Sequence, residues 1–220
     1  MQATPAGPTW TIIVAAGSGS RFGGAVPKQF VEVAGRRIVD WSVRVAASVS
    51  AGVVVVLPSS GEHPELAPCN DAEIRTVPGG NSRSASVRAG LAAVPDDAAI
   101  VLVHDAARPL ASAEVFERVI AAVAGGADGV IPVVPVVDTL RHVDGNPVDR
   151  SELVAVQTPQ GFRRDALVQA HAGDEVSTDD ANLVTAAGGR VVTVPGDRWN
   201  LKVTDPTDDI VAAVLLEARP

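Results

Sequence analysis

The sequence predicts an α/β protein built on a mostly parallel, twisted sheet with helices on both faces. Two observations carry this. Short β-branched runs alternate with Ala-rich stretches of helical length, and the runs are apolar almost throughout, as strands buried on both faces must be. A third sets the size: 220 residues at 46% hydrophobic content suffice for one core, so a single domain over 1–220 is expected.

Strands are expected at 10–15, 52–57, 73–77, 99–104, 129–134, 153–157 and 190–194, and helices at 37–49, 82–94, 112–124, 163–171, 179–187 and 207–218. Ser112 and Thr207 stand where a hydroxyl can cap a helix start, Thr178 precedes the acidic pair Asp179-Asp180, and Gly188-Gly189 supplies a stop. The Val/Pro run 130–137 reads as a buried or edge strand interrupted at Pro132 and Pro135. Residues 138–150 are polar, contain Gly145 and Pro147, and read as a protruding β-arm of the kind that meets a partner subunit.

Composition excludes several classes of function. With 18 Lys+Arg against 26 Asp+Glu the net charge is −8, so no nucleic-acid partner is expected. Aromatics are 3% and Tyr is absent, which leaves little for base stacking. The single cysteine, Cys69, fits a reducing compartment and a cytoplasmic protein. No apolar run approaches the roughly 20 residues of a membrane span, and residues 1–9 lack the pattern of a signal peptide. The histidines are scattered, so no zinc site is expected, and no Gly-x-Ser-x-Gly elbow is present.

The most informative segment follows the first strand. Thr11-Ile12-Ile13-Val14 runs into a turn with Gly17, Gly19, Gly23 and Gly24, flanked by Arg21 and Lys28. Glycines let backbone N–H groups approach an anion, and the two cations add full charge. Phe22 stands where a dinucleotide fingerprint needs its third glycine, and Lys28 lies between Pro27 and Gln29 rather than in Gly-Lys-Ser/Thr. A nucleotide-phosphate loop of another kind is predicted.

Ligands of such sheets bind beyond the carboxyl ends of the strands. That rule gathers Gly79-Gly80-Asn81-Ser82-Arg83 with Ser86, then His104-Asp105-Ala106-Ala107-Arg108-Pro109, then Thr139, Thr158 and residues 198–205. Backbone groups at Gly79 and Gly80 suit a base or ribose contact, although a plain loop and helix cap share this pattern. Asp105 is the candidate ligand of Mg²⁺ or another divalent cation, or else a strand-end cap. Taken alone, Lys202 reads as a lysine at a strand end, and Arg141 and Arg150 as surface charges.

These segments, in order, resemble one family. Ala15-Ala16-Gly17-x-Gly19-x-Arg21 with Pro27-Lys28-Gln29-Phe30, Gly79-Gly80-x-x-Arg83-x-x-Ser86-Val87, the His104–Pro109 block, Asp138-Thr139, Thr158-Pro159-Gln160 and Leu201-Lys202-Val203-Thr204 are similar to the 2-C-methyl-D-erythritol 4-phosphate cytidylyltransferase family. The resemblance implies a Rossmann-like nucleotidyltransferase fold and transfer of CMP from CTP to methylerythritol phosphate, releasing pyrophosphate, in non-mevalonate isoprenoid synthesis. It implies nucleotide contacts at Ala15, Ala16, Gly17, Gly19, Gly79, Gly80, Asn81, Ser86, Asp105 and Ala106. Arg21 and Lys28 are implied to steady the CTP phosphates in the transition state, and Arg150 and Lys202 to position the second substrate. Asp105, Arg108, Thr139 and Thr158 are implied to line that same pocket. Family members are homodimers, so Thr139 and Arg150 are expected to act across the interface. Asn81 departs from the Asp of some members. A ribitol-5-phosphate cytidylyltransferase and a catalytically inactive nucleotide-binding module share most of these motifs.

Overall fold

The computed structural model describes residues 7–17, 26–60, 63–67, 69, 72–173 and 175–218. Along the chain run β1 (Thr9–Val14), β2 (Glu32–Val33), β3 (Arg36–Arg37), α1 (Ile38–Val49), β4 (Gly52–Leu57), β5 (Glu73–Pro78), α2 (Arg83–Ala92), β6 (Ile100–Asp105) and α3 (Ala113–Ala124). They are followed by β7 (Gly129–Pro135), β8 (Val154–Val156), β9 (Gln160–Arg163), α4 (Arg164–Ala170), α5 (Asp180–Ala186), β10 (Val191–Pro195) and α6 (Pro206–Glu217). The main sheet has the order β10-β7-β9-β6-β1-β4-β5, with β8 added on β7. Its heart is parallel: β1 pairs with β4 on one side and β6 on the other, placing Val14 level with Val56 and Asp105.

Alternation within the buried strands splits the core into two layers. Ile13, Val53, Val55 and Leu102 meet Val39 and Val43 of α1 and Phe116 and Val119 of α3. Ile12, Val54, Val56 and Val103 meet Val87 of α2, Leu167 of α4 and Val184 of α5. Each fully buried aliphatic side chain is worth roughly 1.5–3 kcal/mol of transfer free energy, which is why these strands carry no polar face. A smaller cluster of Val33, Ile38, Leu110, Val203, Ala212 and Leu216 docks α6 beside the β2–β3 hairpin.

The structure corrects five details. Strand β9 is antiparallel and lies between β6 and β7, where 158–163 reads in sequence as loop and helix start. Its Gly161 is the reason: a Cβ there would meet Val119 of α3 at 2.4 Å, so this strand cannot carry the apolar alternation that marks one. Pro132 does not interrupt β7, because it falls where the neighbouring strand changes from β9 to β8, and its carbonyl accepts from the Gln157 N–H at 2.8 Å. The Ser112 side chain makes no cap hydrogen bond. Thr207 is not the cap of α6 either: Asp205 is, in a capping box with Asp208, and Asp179 rather than Thr178 caps α5. Gly188 ends α5 as expected, at φ +86°, with Gly188 and Gly189 donating to Thr185 and Val184.

Residues 138–150 form a hairpin closed by the Arg141–Pro147 bridge and exposed over nearly its whole length.

Candidate active site

A cleft of about 470 Å³ opens at the carboxyl ends of β1, β5 and β6. Its size suits a small-molecule ligand. The first wall is the turn after β1, where the Ala15 N–H donates to Val56 O at 2.9 Å and so keeps the chain on the sheet. The second is the turn after β5. A Cβ on Gly79 would lie 2.3 Å from the Ala16 Cβ, and one on Gly80 would lie 2.4 Å from the Ala85 Cβ. Both glycines are therefore required by close backbone approach. The Gly80 N–H donates to Ser86 Oγ at 3.2 Å, and Ser82 caps α2 by accepting from Ala85 N at 3.0 Å. Asn81 is exposed at the rim of this wall and lines the cleft.

Asp105 ends β6 and is the only acidic side chain lining the cleft among the described residues. Its N–H donates to Thr158 Oγ1 at 3.0 Å, and Thr158 Oγ1 also shares a 3.1 Å hydrogen bond with Nδ1 of the buried His104. Lys202 Nζ donates to Asp105 Oδ2 at 2.6 Å, and Arg83 Nε lies 3.7 Å from Oδ1. Burial alone would raise the Asp105 pKa, but the charges of Lys202 and Arg83 outweigh it and hold the carboxyl below its ordinary range.

The lysines are placed by one apolar anchor. Val203 is fully buried; its N–H donates to Ala107 O at 2.8 Å, and its carbonyl accepts from Lys28 Nζ at 2.7 Å. Asp208 then fixes the following turn by accepting from Thr204 N and Oγ1, each at 2.6 Å. Lys28 itself opens a single 3₁₀ turn, Lys28–Phe30, seated by the buried Phe30.

The structure thus brings Ala15, Ala16, Gly17, Lys28, Gly80, Asn81, Ser86, Asp105, Ala106 and Lys202 to one cleft, with Gly79 at its wall. Arg21 and Gly19 lie outside the described residues. Four other candidate site residues are not among those lining this cleft. Thr158 is buried with its hydroxyl turned toward β6. Arg108 donates to Asn200 O at 2.6 Å and Val156 O at 3.3 Å, tying β8 to the segment before Lys202. Thr139 and Arg150 sit on the exposed arm, and Arg150 donates to Val137 O. Arg83 is a cleft cation that the sequence reading gathers with its neighbours but gives no role. Its signal is the spacing Gly-Gly-x-x-Arg, which sets a cation on the first turn of the helix behind a glycine pair.

No three His, Cys, Asp or Glu side chains gather into a cation site among the described residues. A single cleft carboxylate still fits a hard cation such as Mg²⁺, which takes one or two carboxylates and completes its shell with substrate phosphates.

A glycine-walled cleft at the strand ends, ringed by cations around one carboxylate, defines a nucleotidyltransferase. A sequence profile of the family "2-C-methyl-D-erythritol 4-phosphate cytidylyltransferase" matches residues 9–218. The chain belongs to this family. It is 44% identical to the Frankia casuarinae protein of that name, covering 93% of this chain and 80% of that one. It is 43% identical to the Nocardia farcinica protein of that name, covering 94% of both. The crystal structure of the Thermus thermophilus enzyme superposes with a TM-score of 0.81 at 35% identity, covering 94% of this chain and 98% of that one.

Proposed function

We propose that this cleft transfers CMP from CTP to 2-C-methyl-D-erythritol 4-phosphate, releasing pyrophosphate, and that the whole reaction is housed in one domain whose arm serves a second copy. The observation that carries this reading is the convergence of Lys28, Arg83 and Lys202 on a cleft whose glycine wall admits backbone contact with a nucleotide. The nucleophile is an oxygen of the substrate's phosphate monoester, whose second pKa near ~6 leaves it largely dianionic at neutral pH. It forms a bond to the α-phosphorus of CTP as the bond to the β-phosphate oxygen breaks, so no proton need move.

The difficulty is charge. An anion must approach an anion, which calls for positioning and preorganised positive groups. Lys28 and Lys202 supply two, and Arg21 a third. Asp105 would hold Mg²⁺, which supplies further positive charge to the phosphates when bound. Gly79, Gly80, Asn81 and Ser86 form the side on which the base and ribose lie.

Arg150 and Thr139 complete the second-substrate pocket from a neighbouring copy. Supporting this, both stand on an arm that leaves Val143 wholly uncovered, with Val137 and Val154 exposed beside its base. A homodimer buries these side chains.

Pyrophosphate release from CTP and Mg²⁺ is to be measured with methylerythritol phosphate and with ribitol 5-phosphate. Release with the first alone is expected. Preference for ribitol 5-phosphate, or no release with either, overturns the assignment.

A further inference from the structure

Behind the cleft lies a second layer of charge that the transfer reaction, as described, does not use. Asp180, the first residue of α5, is fully buried, and both its oxygens are engaged. Oδ2 accepts from Arg83 Nη1 at 2.5 Å, and Oδ1 accepts from His171 Nε2 at 3.0 Å. The other edge of the same guanidinium faces Asp105, with Nε 3.7 Å from Oδ1. His171, Asp180, Arg83, Asp105 and Lys202 therefore form one chain of contacts from the packed side of α4 and α5 into the cleft. Two hydrogen bonds between one hydroxyl and the backbone hold the junction. Ser84 Oγ donates to Ser177 O at 3.0 Å and accepts from Ser177 N at 2.9 Å, joining the start of α2 to the segment before α5.

A carboxylate taken wholly out of water must be matched by a cation and hydrogen bonds. Here the matching cation is one that lines the cleft. The pairing runs in both directions: Arg83 neutralises Asp180, and Asp180 removes most of the freedom of a long side chain at the substrate edge. His171 is buried too, and its Nδ1 has no hydrogen-bond partner among the described residues, so its polar contact there is to Asp180.

We propose that Asp180 and His171 are positioning residues for cytidylyl transfer: they fix the guanidinium of Arg83 in the cleft and, through it, the orientation of the Asp105 carboxylate. This rests on the transfer reading above. Asp180→Asn keeps the shape and removes the charge. Loss of an outer partner that orients a site group typically costs about 10- to 100-fold, and a fall of that size in kcat/KM is expected.

A role confined to stability is separated by a double-mutant cycle with Arg83→Gln, run as turnover and, independently, as CTP affinity by calorimetry. If Asp180 acts through Arg83, adding Asp180→Asn to Arg83→Gln costs less than about twofold more. Multiplicative losses, or Asp180→Asn at wild-type kcat/KM, overturn the proposal. Should Asp180→Asn fail to fold, His171 decides. His171→Gln, which keeps an N–H donor, is expected to retain activity, while His171→Phe, similar in bulk but without the donor, is expected to lose it. Equal kinetics for the two overturn the proposal. A wild type that binds CTP but releases no pyrophosphate removes the transfer reading; the cycle in CTP affinity then still decides whether Asp180 works through Arg83.

Discussion

Lys202 Nζ donates to Asp105 Oδ2 at 2.6 Å although 97 positions separate them in sequence. The pair joins the end of a central strand to the turn before the last helix, and its lysine is 44% exposed on the side-chain scale. At that exposure the ion pair contributes at most about 1 kcal/mol to stability. Under the proposed function its weight falls on the reaction instead.

Lys202→Met keeps the apolar stem and removes the charge. We expect thermal unfolding within a few degrees of wild type and a fall in kcat of about 10²–10³, the usual cost of removing one preorganised charge-stabilising donor. Steady-state pyrophosphate release beside a melting curve checks both halves. Normal turnover would falsify the assignment of Lys202.

Lys28→Ala removes a cation and its bond to the Val203 carbonyl. The expected loss in kcat is again about 10²–10³. Because the same bond steadies the Lys202 segment, the double variant with Lys202→Met should be less than multiplicative. Full multiplicativity would show that the two lysines act independently.

Gly79→Ala places a methyl 2.3 Å from the Ala16 Cβ and 3.0 Å from Ser86 Oγ. Backbone must move, at about 1–3 kcal/mol of stability. Under the proposed function both turns line the nucleotide side, so CTP affinity should drop while circular dichroism stays α/β. Unchanged affinity by calorimetry would remove this wall from the nucleotide site.

Acid should destabilise the protein in two separate windows. Burial is the main reason that His104 titrates at about 4 instead of 6.5, with Asp105 opposing it and Arg108 adding to it. The unfolded chain therefore binds the proton first, so stability is full above about 6.5 and falls as pH drops toward 4. The loss is on the order of 3 kcal/mol, from about 2.5 units at 1.36 kcal/mol each. Asp105 has a lowered folded pKa, so its contribution is present above the ordinary carboxylate value of about 3.9 and is lost as pH falls through the folded value. Urea titrations from pH 7 to 4 on wild type and His104→Gln test the first window. An equal slope in both proteins counts against it.

Much of this architecture is local in origin and readable in advance. Apolar runs such as Gly52–Leu57 declare a strand buried on both faces, and the glycine pair 79–80 declares a close backbone approach. Gly161 shows the limit. It is a strand residue emptied of its side chain by a helix that packs on it, and nothing local says so.

The sequence by itself determined the α/β alternation, the glycine-rich make-up of the turn after the first strand and, through its ordered motifs, the family. Tertiary structure alone decided which groups meet. It set Lys28, Arg83, Lys202 and Asp105 in one cleft, turned the Thr158 hydroxyl inward, left Thr139 and Arg150 on an exposed arm, and buried Asp180 behind Arg83. The physical reason is range. Side-chain periodicity reports which face of an element is buried, whereas the meeting of strand ends depends on sheet order, fixed by hydrogen bonds between segments far apart in the chain.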